Sequence, residues 1–423
     1  MSSSVPPSFE PVRNWAGNLT YASPRIHRPT SLGELSALVR DSPRIRALGS
    51  GHSFNGVADS GHDLLRLDAL PEEIEVDPSA STVTVAAGVR YAELSAALHR
   101  EGWALGNLAS LPHISVAGSC ATGTHGSGDR QRCLSAAVRG LELVGPDGGT
   151  VRLSRDGDPG TFPGAVVALG ALGVVTRLTL EIEPAFEMSQ RVRLDVPLDE
   201  AAAGFDEVFG AAHSVSLFTD WNTDTGRVWL KHREGSPEGA WGGGRPAADP
   251  QHPVPGMPTG AATEQLGSVG PWFERLPHFR PELPPSAGEE LQSELYLPRA
   301  AAPEAFAALR GIGHLIAPVL YTAEVRTVRA DDLWLSPAQG RDSATFHFTW
   351  VRDPERVAPA LRAVEEGLAP LGARPHWGKL TTLLPSEVVG GYERAADFAG
   401  LLERFDPDGK FRNPFTDALF PRG

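Results

Sequence analysis

Apolar and polar residues alternate along several stretches of this chain, and each alternation predicts a strand. In residues 81–86, Ser-Thr-Val-Thr-Val-Ala, Val83 and Val85 fall on one face, as in a half-buried strand. Residues 44–48 and 173–182 also read as strands. Residues 141–144 and 150–153 flank Pro146-Asp-Gly-Gly149, which predicts a hairpin. Between them, residues 91–100 repeat apolar side chains at helical spacing and stop before Gly102, predicting a helix. Later strands are predicted at 323–328 and 344–351, and a helix at 357–368. Hairpins mixed with helices imply α+β layers rather than a regular βαβ repeat. Residues 234–262, rich in Gly, Pro and Ala, predict an irregular surface loop. No repeat of solenoid period is present.

Two of these strands carry unusual faces. Glu324 and Arg326 are two apart and share a face. Thr345, His347 and Thr349 share another, while Phe346, Phe348 and Trp350 take the opposite side. The aromatic face predicts core packing. The polar face fits either a solvated surface or one that hydrogen-bonds hydroxyl groups.

Glycine-rich segments supply the next candidates. Gly49-Ser-Gly-His-Ser-Phe-Asn55 follows a predicted strand, so its backbone can approach a ligand and form a nest for pyrophosphate. A tight turn with a satisfied histidine fits equally well. The segment is no dinucleotide fingerprint, because Phe54 replaces the third glycine, and no nucleophile elbow, because Asn55 replaces the last. Residues 110–128 set Gly118, Gly123, Gly126 and Gly128 among Ser110, Ser115, Thr122, Thr124 and His125. So few large side chains argue against a core helix and for backbone wrapped around a large flat ligand. His376-Trp-Gly-Lys379 is a fourth candidate. Its lysine is one of three in the chain, with Lys231 and Lys410, among 38 basic residues.

Charge and cysteine content narrow the functions. The 423 residues carry 52 acids against 38 bases, a net charge of −14, which excludes a nucleic-acid binder. Two cysteines make neither a disulfide framework nor a Cys-rich metal site, and metal-binding motifs are absent, so no metal is expected. No apolar run of ~18 residues could span a bilayer. Met1 to Phe9 has neither the basic nor the apolar part of a signal peptide. The expectation is a soluble cytoplasmic protein with no membrane partner.

Taken in order, these pieces resemble the flavoprotein oxidases of the vanillyl-alcohol oxidase superfamily, in the sugar-alcohol and aldonolactone branch. Within it the chain is most like the alditol (xylitol) oxidases. The matching segments include Asn14-Trp-Ala-Gly-Asn18, 48–55, 109–118, 121–128, 214–221, 252–258, Pro277-His-Phe-Arg280, Glu324-Val-Arg-Thr-Val328 and His376-Trp-Gly-Lys379. The resemblance implies an α+β fold. A two-lobed FAD-binding domain would span 13–186. A cap domain at 187–375 would be built on an antiparallel sheet with flanking helices, and 376–423 would return to the FAD domain. It implies FAD bound covalently through His52 to the flavin 8α carbon. Ala47, Leu48, Gly49, Ser50, Gly51, Ser53, Ser110, Ser115, Gly118, Thr122, Gly123, Thr124 and His125 would wrap the cofactor, and Val174 and Val175 would approach its adenine half. Ser110, Glu324, Arg326, Thr349 and Lys379 would contact the polyol. Lys379, Arg326, Glu324 and His347 would carry catalysis, and Tyr321 and Trp350 would modify pocket shape. The implied reaction oxidises the terminal alcohol of xylitol or sorbitol to the aldose and reduces O2 to H2O2. An L-gulono-1,4-lactone type oxidase or dehydrogenase is the neighbouring alternative. The implied partners are a small polyol and O2. A monomer is expected, and the Arg, Ala and Gly usage suits a GC-rich bacterial genome.

Overall fold

The computed structural model describes residues 12–236, 241–286 and 288–422; the stretch from Met1 to Phe9 lies outside them. Two sheets organise the first part of the chain. A five-stranded antiparallel sheet runs in the order Ile74–Asp77, Thr82–Ala86, Val174–Glu181, Val138–Val144, Thr150–Ser154. The last two strands are the predicted hairpin. Val83 and Val85 are buried beneath the helix Tyr91–Arg100, which turns Leu94 and Leu98 inward. A small parallel sheet orders Arg25–His27, Asp63–Leu65 and Ile45–Ala47. Trp377, Phe398, Leu401, Phe411 and Phe420, from the end of the chain, pack into the same core.

Arg46 ties this lobe together. It is buried, and its guanidinium donates to the carbonyls of Val57, Leu169 and Phe411, which lie far apart in sequence. Arg46→Met would leave several carbonyls without a donor. We expect a loss of about 3 kcal/mol in stability, read as an earlier midpoint in chemical denaturation.

The rest of the chain forms one large sheet, mostly antiparallel. Its central order is Glu187–Pro197, Thr225–Arg233, Ser214–Thr219, Leu320–Val328, Ser343–Val351, Glu290–Pro298. The helices Ala302–Gly311 and Pro354–Leu368 cover one face, where Phe306, Leu361 and Val364 meet Phe346, Phe348 and Trp350. The aromatic side therefore packs on the core, as the alternation predicts. Period two then forces Glu324, Arg326, Thr345, His347 and Thr349 to the other face. That face is buried too. The solvated reading of the polar strands is thus corrected: another part of the protein covers them.

Register lines the polar residues up. His347 pairs with Glu294 on one side and with Glu324 on the other, and Glu324 pairs with Phe218. One row thus crosses four strands. A parallel row holds Arg326 opposite Thr345, and another holds Thr349 between Thr322 and Gln292. Trp350 faces the helices and donates to Ser293 Oγ at 2.9 Å, while Tyr321 is exposed, so neither shapes the cavity.

Two further expectations are corrected. Residues 110–128 do contain a helix, Val116–Ala121, with Val116, Ser119 and Cys120 buried, but it is only six residues long. Small side chains that disfavour a long helix let this short one lie close to its neighbours. The loop at 234–262 is not a featureless insertion. Arg245–Pro246 pairs with the strand Glu187–Pro197, and Arg227 donates to the carbonyls of His252 and Pro253 at 3.0 and 2.7 Å. Pro253 and Val254 reach the cavity described next.

Candidate active site

A long cavity runs between the two sheets. Its walls come from 46–54, 66–68, 87–90, 109–125, 169–175, the face of the large sheet, and 376–379. The loop at 49–54 is held open by its neighbours. Asn14 Nδ2 donates to Ser53 O at 2.9 Å, and Trp15 N donates to Gly51 O at 2.8 Å. Phe54 N donates to Gly378 O at 2.8 Å, and Asn55 Nδ2 donates to the carbonyls of Trp377 and Lys379, each at 2.8 Å. Three segments distant in sequence, Asn14–Asn18, 49–55 and His376–Lys379, thus form one clamp.

Glycine is required at the centre of that clamp. A Cβ on Gly49 would stand 2.7 Å from Ser115 Oγ, and one on Gly118 would stand 2.8 Å from the same atom. Gly51 has φ +71°, a conformation that side chains resist. The Ser115 amide also donates to Ser50 Oγ at 3.3 Å. The two glycine-rich segments are therefore in contact and present bare backbone to the cavity.

His52 stands at this junction. Its ring stacks on Trp15, with centroids 5.4 Å apart and planes 16° apart. Both ring nitrogens are buried and have no hydrogen-bond partner. Burial, then the nearby His113, pull its pKa down to about 4, so the ring is neutral. A buried imidazole with two idle nitrogens is costly unless another group completes it.

The far end of the cavity concentrates charge. Glu294 is fully buried on the strand Glu290–Pro298. Its Oε1 accepts from Arg326 Nη2 at 2.6 Å and lies 3.0 Å from His125 Nε2. Its Oε2 accepts from Lys379 Nζ at 2.7 Å. Burial opposes this carboxylate, but Arg326, Lys379 and His125 outweigh it and hold its pKa well below the usual range. Glu324 resembles it: burial opposes the charge, but Arg326 and a hydrogen bond from His278 Nε2 at 3.0 Å keep it ionised. Behind His278, Lys231 donates to the carbonyls of Leu276 and Pro277 at 2.6 and 3.0 Å. Burial lowers its pKa to about 7, against the pull of Glu324.

Lys379 also donates to His347 Nδ1 at 2.8 Å. That nitrogen accepts, so the ring hydrogen sits on Nε2, which is 3.2 Å from Thr349 Oγ1. Burial and the Lys379 charge lower the His347 pKa to about 4. Arg326 Nη1 reaches Ser110 Oγ at 3.5 Å, while its Nε is buried without a hydrogen-bond partner. Lys379 itself is lowered from the ordinary lysine value by burial, with Glu294 opposing. Lys379 is thus largely shielded from solvent and hydrogen-bonded to Glu294 and His347.

The structure brings most of the anticipated residues to this cavity. Ala47 to Ser53, Ser110, Ser115, Gly118, Thr122, Thr124, His125, Val175, Glu324, Arg326, His347, Thr349 and Lys379 all line it. Gly123 and Val174 do not. Gly123 sits behind the wall against Pro337, and its carbonyl accepts from Tyr296 Oη at 3.2 Å. Val174 alternates with Val175 along its strand and points into the core. Glu294, His278 and Gln292 were not singled out in the sequence, although all three line the cavity. The available signal was slight: Glu294 is the one charged residue in Leu291-Gln-Ser-Glu-Leu-Tyr296.

Comparison with known proteins agrees with this architecture. Residues 24–154 match the family "FAD binding domain", and residues 290–419 match "D-arabinono-1,4-lactone oxidase". The chain is 52% identical to an alditol oxidase from a Streptomyces species, covering 96% of this chain and 98% of that protein. It is 29% identical to an L-gulono-1,4-lactone dehydrogenase from Mycobacterium tuberculosis, covering 95% and 97%. In solved structures, cholesterol oxidase from B. sterolicum superposes with a TM-score of 0.78 at 14% identity, covering 99% of both chains. That likeness is one of fold. FAD is the cofactor, and the residues present fit it: the glycine cradle leaves room, and His52 offers an unpartnered imidazole.

Proposed function

We infer the reaction from two facts: this chain belongs to the alditol oxidase family, and its cavity joins a bare imidazole to a balanced set of buried charges. The protein oxidises the terminal primary alcohol of alditols such as xylitol and sorbitol to the aldose. His52 would hold FAD covalently, and the bound flavin would supply the hydride acceptor for this oxidation, with O2 as final acceptor giving H2O2.

The row Glu294, His347, Glu324 with Arg326, Thr349 and Lys379 beside it is the observation that carries this reading. A polyol bears a hydroxyl on every carbon, and each one left unpaired on burial would cost about 1–3 kcal/mol. This face supplies both donors and acceptors. Arg326 Nε–H, the third N–H of Lys379 and the Thr349 hydroxyl, which accepts from His347 Nε2–H, donate, while Glu324 Oε2 accepts. Arg326 and Lys379 orient the reacting hydroxyl and stabilise negative charge as its proton leaves. His347 and Glu324 hold the next hydroxyls, and Ser110 and Thr349 complete the wall. Ala47 to Ser53, with Ser115, Gly118, Thr122, Thr124 and His125, hold FAD, and Val175 faces its adenine half. We assign residues 13–186 and 376–423 to the FAD domain and 187–375 to the cap. Among the described residues no helix is long and apolar enough to cross a membrane. We place the enzyme in a bacterial cytoplasm as a monomer, which gel filtration tests.

The match of 290–419 to a lactone oxidase family favours a second reading, oxidation of an aldonolactone. An extended row of side chains across several strands suits an open chain better than a lactone ring. We expect kcat/KM for xylitol and sorbitol to exceed that for L-gulono-1,4-lactone by at least about 100-fold with H2O2 detection. A preference for the lactone would reverse the assignment.

A further inference from the structure

We propose that Glu294 sets the charge selectivity of the pocket: it cancels one of two adjacent cations, so that neutral polyols bind and sugar acids of the same length do not. This rests on the polyol reading above.

Four charged side chains line the reacting end of the cavity: Glu294, Glu324, Arg326 and Lys379. Two carboxylates face two cations, so the set is neutral. The four histidines around it, His125, His278, His347 and His376, are all held below the ordinary histidine range, first by burial, and add no charge at neutral pH. The balance therefore depends on the two carboxylates, which are not equivalent. Glu324 binds His278 through Oε1, and its Oε2 stands 3.6 Å from Arg326 Nε. That oxygen is open to a ligand. Glu294 has both oxygens engaged, Oε1 with Arg326 and His125 and Oε2 with Lys379. Its contribution is to charge and position. Both cations that meet the substrate are bonded to this one carboxylate.

An aldonate is a polyol with a carboxylate at one end. With Glu294 in place, that carboxylate meets cations already compensated, and a second negative charge beside Glu294 is repelled. Without the Glu294 charge, Arg326 and Lys379 share only Glu324, and the pocket carries one net positive charge. Lys231 stands one layer back and does not line the cavity. Its pKa of about 7 means that it is largely neutral at pH 8, where the test is set.

The experiment titrates D-gluconate into the flavin-loaded wild type, Glu294→Gln and Glu294→Asp at pH 8 and low salt, following the flavin absorbance. Sorbitol turnover is measured beside it. We expect Glu294→Gln to bind gluconate at least tenfold more tightly than the wild type, with the gain fading as salt is added. Glu294→Asp should stay near the wild type. Sorbitol kcat should fall more than KM changes in Glu294→Gln and recover in Glu294→Asp. Unchanged gluconate affinity in a Glu294→Gln protein that keeps its flavin would overturn the proposal. So would equal gains in both variants, since shape rather than charge would then decide. If Glu294→Gln does not fold, Lys379→Met supplies the mirror test. It leaves the pocket one charge negative, so protonated glucamine should bind at least tenfold more tightly, and no gain would overturn the proposal. Gluconate binding is read from the shift of the oxidised flavin band, apart from any bleaching by oxidation at its C6 alcohol. A wild type that leaves sorbitol unoxidised would therefore reject the polyol assignment separately from the charge result.

Discussion

Replacing His52 by alanine is expected to abolish covalent flavin. Acid precipitation of the wild type should leave a yellow pellet, and its intact mass should exceed the chain by one FAD. The His52→Ala pellet should be colourless and its mass that of the chain alone. The argument starts from the ring's surroundings. Trp15 fixes its plane by stacking, and the backbone on either side is clamped, at Gly51 by the Trp15 amide and at Ser53 by Asn14. Neither nitrogen makes a well-formed hydrogen bond within the protein, the Ser50 backbone being the only group to favour the charged ring, and the pKa of about 4 keeps a lone pair free across the physiological range. A nucleophilic nitrogen with nothing else to bind is what bond formation to the flavin requires. The glycine cradle at Gly49 and Gly118 does not depend on His52, so the variant should still hold FAD noncovalently, and native gel filtration should recover some of it. A colourless wild-type pellet would reduce His52 to a noncovalent contact.

The sequence carried this site unevenly, for a physical reason. Alternation placed Glu324 and Arg326 on one face and His347 with Thr349 on one face, because side-chain direction in a strand has a period of two. Alternation does not say which face is covered. A polar face next to solvent and a polar face beneath a second lobe have the same pattern, and only tertiary packing separates them. Glu294 shows the same limit. Little local marks it beyond its charge, because its importance lies in register: Glu294 opposite His347, and His347 opposite Glu324. The first pairing skips the strand Leu320–Val328 that lies between its two partners in sequence. Lys379 was visible for its rarity, yet its partners, Glu294 and His347, lie 85 and 32 residues away. The helix at Val116–Ala121 was hidden differently, since low helix propensity was outweighed by close packing around Gly118. The resemblance supplied roles that periodicity could not, and it too passed over Glu294, whose two oxygens are taken up by Arg326, His125 and Lys379.

Lys379 should give the largest loss of rate. Lys379→Met removes a charged donor from the reacting end and leaves Glu294 facing Arg326 and His125 alone, so kcat should fall by about 10²–10³ with alditol as substrate. The pH profile identifies the charge as the cause. Lys379 works as the ammonium, so activity is full below its pKa and is lost as pH rises through it. Burial lowers that pKa from the ordinary lysine value, which sets the alkaline limb of kcat/KM below 10.5. On the acid side His347 gains a proton only near 4 and the carboxylates lower still, so the plateau should extend down to about pH 5. Lys379→Arg keeps a charge that does not titrate in this range. If that variant is active, its alkaline limb should move up or vanish. A limb that stays in place would belong to another group. Lys231, at about 7, is the buried cation behind His278, and Lys231→Met separates the two: a limb that disappears in this variant would belong to Lys231, and one that stays would not.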